Sequence, residues 1–76
     1  MNATKITSDQ LCKILNEVAI SKDPKQGFPF GNQTLWTVPA TFNLSDYDFT
    51  NDSWESFSLW ATNDDGSKVI RLWSKW

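Results

Sequence analysis

From residue 11 to residue 18 the apolar side chains recur at helical spacing. Leu11, Ile14, Leu15 and Val18 stand at i, i+3, i+4 and i+7, while Lys13, Asn16 and Glu17 fall on the opposite side. Just upstream, Thr7 with Gln10 three residues later forms a capping box, and Ile6 before the cap is placed to pack on Leu11 as a hydrophobic staple. The pattern stops at "SKDPKQG", where Pro24 disfavours helix in Asp23 and Gly27 interrupts again. The spacing predicts a helix over residues 8–21.

Helical spacing is lost beyond that point. Residues 22–33, "KDPKQGFPFGNQ", read as a loop whose Phe28 and Phe30 fold back onto the core. "TLWTVPATFNLSDYDF" is rich in β-branched and aromatic residues and reads as extended chain. Pro39 cannot donate to a ladder, so this stretch is either an edge strand or two short strands joined at a bulge or corner.

The last third alternates around "ATNDDGSK", in which Asn63, Asp65 and Gly66 suit a type I turn closed by a left-handed glycine. With Asn63 opposite Ser67, the register pairs Ala61 with Val69, Leu59 with Arg71, Phe57 with Trp73 and Glu55 with Lys75. One face then carries Glu55, Phe57, Leu59, Ala61, Val69, Arg71, Trp73 and Lys75, and the other Trp54, Ser56, Ser58, Trp60, Ile70, Leu72, Ser74 and Trp76. Neither face is polar, against the clean alternation of a sheet with one wet side. A single helix covers only one face. The second is closed by the Pro39 segment and the Phe28 loop, or is left for a partner.

Composition sets the scale of these elements. The chain has 76 residues, 39% of them hydrophobic and 21% charged, which suits one small domain over residues 1–76 with a modest core. The expected class is α+β: one N-terminal helix on a three- or four-stranded antiparallel sheet ending in a C-terminal hairpin. The N-terminus has no apolar stretch of the roughly 7–15 residues that a signal peptide needs. No run approaches the roughly 20 residues of a membrane span. The expectation is a cytoplasmic protein with no membrane partner, in a host cytoplasm if phage-encoded. Sequons at Asn2, Asn32, Asn43 and Asn51 are expected to be accidents of an Asn-, Ser- and Thr-rich chain. Cys12 is the only thiol, so it forms no internal disulfide and is read as a core residue.

Charge changes the picture in the middle of the chain. Residues 44–66 hold Asp46, Asp48, Asp52, Glu55, Asp64 and Asp65 and no Lys or Arg, whereas the final ten residues hold Lys68, Arg71 and Lys75. Acids interleaved with aromatics can offer carboxylates to a basic partner while rings act as desolvated anchors. They can also simply cap turns. A calcium loop is not completed, because Asn51 stands at the expected glycine and Phe57 at the expected glutamate. With no histidine, no second thiol and no nucleophile motif, neither a metal centre, a cofactor nor catalysis is expected.

What remains is binding. The sequence points to a small non-catalytic interaction protein, an inhibitor of a protein partner of the kind phages and mobile elements direct against host defences. Trp54, Trp60 and Trp76 are the expected apolar anchors, and Asp46, Asp48, Asp52 and Glu55 the charged rim. The alternative is a carbohydrate- or single-stranded nucleic-acid-binding module using exposed tryptophans, although net charge −2 opposes nucleic acid. A free sheet edge beside an open face also allows two copies to pair.

Overall fold

The computed structural model describes residues 3–28, 31–49 and 55–74. In chain order the elements are β1 (Thr4–Ile6), α1 (Ser8–Val18), β2 (Ser21–Phe28), β3 (Gly31–Val38), a single 3-10 turn (Leu44–Asp46), β4 (Tyr47–Phe49), β5 (Glu55–Thr62) and β6 (Lys68–Ser74). Four strands form one antiparallel sheet in the order β2-β3-β6-β5, and β1 and β4 form a separate parallel pair. The class is α+β. None of the described helices is long and apolar enough to cross a membrane.

Helix α1 begins as its cap dictates. Thr7 Oγ1 accepts from the Gln10 amide at 3.1 Å, and Gln10 Oε1 accepts from the Thr7 amide at 2.8 Å. Leu11 and Leu15 are fully buried, Ile14 is half-buried and Val18 is largely exposed, so the stripe engages the sheet most tightly in its middle. Ile6 packs against the same cluster.

The helix ends at Val18, three residues earlier than its periodicity predicts. Ala19 is already extended, and the Ile20 amide donates to the Thr37 carbonyl at 2.7 Å. The end of β3 captures the chain and turns it into β2. The loop predicted over residues 22–33 is therefore corrected: Lys22 pairs with Trp36, Asp23 with Leu35 and Pro24 with Thr34. A proline is tolerated because β2 is an edge strand, whose ladder uses only one side of its backbone. The side chain of Phe28, and the whole of Phe30, lie outside the described residues.

Of the two alternatives for the segment around Pro39, the second holds: β3 lies between β2 and β6 and is no edge strand, and Pro39 turns the chain between two separate strands, β3 and β4, its carbonyl accepting from the Phe42 amide at 3.0 Å. The second extended piece, β4, then joins β1 in the parallel pair, where Lys5 stands opposite Asp48.

The hairpin turn forms as read. Asn63 and Ser67 close it at 2.8 Å, the Gly66 amide donates to Asn63 at 3.0 Å, and Gly66 is left-handed at φ +90°. Asp65 Oδ1 accepts from the Ser67 amide at 2.9 Å and from its hydroxyl at 2.6 Å. These bonds hold the Asp65 carboxyl below its usual range, the Ser67 hydroxyl being the larger cause. An alanine at Gly66 would be strained by its φ and would bring its Cβ to 3.4 Å from that of Ala40. Gly66→Ala is expected to cost about 1–2 kcal/mol and to lower the melting temperature by about 4–8 °C per kcal/mol. An unchanged melt would show that the turn does not set the hairpin.

Beyond the turn, the expected register fails. Ala61 pairs with Val69 as predicted, but Leu59 pairs with Ile70, Phe57 with Leu72 and Glu55 with Ser74. A bulge between Leu59 and Ala61 absorbs Trp60 as an extra residue. Lys75, the predicted partner of Glu55, lies outside the described residues. The slip exchanges the faces of β5 relative to β6. Phe57 and Leu59 now share a side with Ile70, Leu72 and Trp36, and the core forms there from Leu11, Leu15, Trp36, Val38, Phe57 and Ile70.

Candidate functional site

The helix, β1, the 3-10 turn and β4 all lie on the Trp36 side of the sheet. Among the described residues the opposite side has no covering element. It presents Gln33, Leu35 and Thr37 from β3, Val69, Arg71 and Trp73 from β6, and Ser56, Ser58 and Ala61 from β5. The bulge adds Trp60 to this side. The Arg71 guanidinium sits 4.8 Å from the Trp60 ring centroid and 5.3 Å from that of Trp73, and its Nε donates to Gln33 Oε1 at 2.7 Å.

This cluster is held in place by its neighbour Gln33. Gln33 is buried at 7% exposure, and its bond to Arg71 joins β3 to β6. The guanidinium is thereby held on this face by its bond to Gln33 and its contacts with the two rings. Each cation–ring contact contributes roughly 0.5–2 kcal/mol. Trp60 nevertheless stays 53% exposed, so an indole face and an oriented cation lie together at the surface.

The sequence-predicted site residues that are described do not all converge. Trp60 is on the open face. Asp46, at the end of the 3-10 turn, and Asp48, in β4, are exposed on the layer that covers the other side. Glu55 also points to the helix side, half-buried, and its Oε2 makes no hydrogen bond among the described residues. Trp54, Asp52 and Trp76 lie outside the described residues. Of the described members, Trp60 thus lies on one side of the sheet and Asp46, Asp48 and Glu55 on the other. Arg71, Trp73 and Gln33 join Trp60 instead, a grouping that depends on a bulge for which the sequence carries no local signal.

A second concavity opens on the helix side. Leu44, Tyr47 and Phe49 face Leu59 and Ile70 across a cleft of about 450 Å³, with Asn43, Ser45 and Lys68 completing its lining. Lys68 Nζ donates to the Phe42 carbonyl at 2.8 Å and to Asn43 Oδ1 at 2.6 Å.

Nucleophilic chemistry finds little support at Cys12. Its thiol is half-buried against the core, and burial first, then the Glu55 and Asp9 carboxylates, push its pKa above the ordinary value of 9.0, with Lys22 opposing weakly. A thiol is reactive as its thiolate. Alkylation of the folded protein by iodoacetamide is expected to be slow at pH 7.5 and to accelerate only above pH 9. A rate that levels off near pH 7 would contradict this environment. No cluster of three or more His, Cys, Asp or Glu side chains placed to hold a metal ion occurs among the described residues.

No protein-family model, curated protein or solved structure matches the chain. The functional reading therefore rests on its own geometry.

Proposed function

We propose that this is a small interaction protein that inhibits a protein partner by docking the open face of its sheet onto it. The observation that carries the reading is Arg71 seated between Trp60 and Trp73 on a side that no described element covers. Tryptophan and arginine are the residue types that most often dominate binding energy, provided they sit together and are desolvated by the partner. Here they are already ordered, so little side-chain entropy is lost on docking. Leu35, Val69 and Ala61 extend the apolar patch, and Thr37, Ser56 and Ser58 supply a polar surround.

Of the acidic segment, Asp46 and Asp48 take no part in this surface. Asp46 and Asp48 lie across the sheet from it, and they act as a solvated flank that keeps the small domain soluble. A phage- or mobile-element-encoded inhibitor of a host complex remains the context that fits the size and chemistry, by analogy.

A second reading has one observation in its favour. An arginine between two indoles on a sheet is also a platform for unstacked bases in single-stranded nucleic acid. Against it, Arg71 is the one charged residue that β3, β5 and β6 contribute to this face, and β2 adds one acid and one base by register, Asp23 opposite Leu35 and Lys25 opposite Gln33, whereas a backbone-tracking groove needs several cations.

The deciding experiment is paired. Immobilised protein is exposed to lysate of candidate host cells, in wild-type form and as Trp60→Ala, Arg71→Gln and Asp48→Asn. Tryptophan fluorescence is titrated separately with single-stranded oligonucleotides and oligosaccharides. The reading expects one protein retained by wild type and Asp48→Asn and lost with the other two. A fluorescence response to oligonucleotide or sugar alone, abolished by Trp60→Ala, would replace it.

A further inference from the structure

We propose that the cleft between the Leu44–Phe49 segment and the β5–β6 hairpin is a binding site for a small anionic amphiphile, a medium-chain carboxylate. Its tail lies against Leu44, Tyr47, Phe49, Leu59 and Ile70, and its head group pairs with Lys68. The site is distinct from the docking face, because the pairing of Leu59 with Ile70 places the cleft on the helix side of the sheet.

Three features specify the ligand. The volume of about 450 Å³ falls within the roughly 300–1,000 Å³ of clefts that hold small molecules. Its walls are mainly apolar, and Leu59 at their edge remains 53% exposed, so burying it is a gain that the fold leaves to an occupant. The third feature is charge. Both acceptors of the Lys68 ammonium are neutral, a carbonyl and an amide oxygen. No carboxylate among the described residues lies within ion-pairing distance, and none lines the cleft.

The two nearby acids do not neutralise this cation. In β4, Tyr47 and Phe49 turn inward to line the cleft, so alternation sends Asp48 to the other side of the strand, where it is exposed. Asp46 is exposed and contributes nothing to the lining. The Lys68 ammonium keeps a third N–H after its two bonds to Phe42 and Asn43. A carboxylate completes its coordination with a charge-assisted bond, whereas an alcohol of the same length offers only a neutral one.

The test follows the Ile, Leu and Val methyl NMR signals of the full chain during titration with hexanoate, octanoate and decanoate below their micellar concentrations, and with decanol as the neutral control. Binding is expected to perturb Leu44, Leu59 and Ile70, and to tighten about threefold to fourfold per added methylene. Lys68→Met is expected to weaken decanoate about tenfold or more and to leave decanol unchanged. Leu59→Glu, at an exposed position that a folded chain tolerates, is expected to abolish decanoate binding. It decides the matter if Lys68→Met fails to fold. Equal affinity for decanol and decanoate in the wild type overturns the proposal. So do shifts at Leu35 and Val69 in place of the cleft methyls, binding that survives Leu59→Glu, or concentration-dependent shifts of the cleft methyls without ligand, which would assign the cleft to a second copy.

Discussion

Trp36→Ala is expected to lower the free energy of unfolding by about 3–5 kcal/mol, the range for removing a large aromatic from a core. A chain of this length has roughly 4–11 kcal/mol in total, so the variant lies close to the unfolding threshold at 25 °C. Trp36 is 2% exposed and joins three elements. Its ring packs 6.1 Å from that of Phe57, its Nε1 donates to Asn16 Oδ1 of the helix at 3.0 Å, and Lys22 of β2 lies over it at 5.5 Å. No other described side chain links helix, edge strand and hairpin in this way. Urea denaturation followed by circular dichroism measures the loss. Trp36→Phe keeps most of the packing and gives up the bond to Asn16, so its expected cost is only about 1 kcal/mol plus the smaller ring volume. Similar costs for the two variants would mean that the hydrogen bond, and not the buried ring, ties the helix to the sheet.

The second large effect is expected in binding and not in folding. Truncating Trp60 removes an indole that is about half in water, so the fold should lose no more than about 1 kcal/mol. Affinity for the docked protein should fall by about 2 kcal/mol or more, a weakening of about thirtyfold. Arg71→Gln should lose a comparable amount. It leaves the two rings without the cation between them and leaves the buried Gln33 carbonyl without its charged donor. Asp48→Asn, on the far side of the sheet, should change affinity by a few tenths of a kcal/mol at most. Binding measured by calorimetry or biolayer interferometry on the captured partner separates these cases. If all three variants bind alike, the partner does not use the open face.

The proposals differ in what they require of the chain. Docking needs only a pre-ordered surface, and Gln33, Arg71, Trp60 and Trp73 provide one across three strands. The cleft needs a cation that the protein leaves without a carboxylate, and Lys68 provides that. Its two neutral acceptors also anchor the turn at Phe42 and Asn43, so the ammonium is held at the lining of the cleft and does not sweep through solvent.

Local features were legible without coordinates wherever a few neighbouring residues decide the conformation. Thr7 and Gln10 specify the start of the helix because both halves of the capping box lie within one turn. Asn63, Asp65 and Gly66 specify the hairpin turn because its geometry depends on a left-handed residue that glycine alone adopts without strain. Leu11 and Leu15 are core because the helix presents them together. The α+β class follows from one periodic helix preceding a run of β-branched and aromatic segments.

Tertiary structure decided the rest, for a common physical reason: competition between backbone partners far apart in sequence. Residues 21–28 became strand because β3 offered hydrogen bonds that their own composition does not advertise. β3 became central because β6 pairs along its other side. The bulge at Trp60 reconciles a register set by the turn with one set by burying Phe57 and Ile70 on the same side as Trp36, with Leu59 and Leu72 alongside them. Register is a property of two strands and the core they share, and no window of one strand contains it. That slip of a single residue is what placed Trp60 with Arg71 and Trp73, and so the proposed docking face was decided by packing, while its residues were supplied by the sequence.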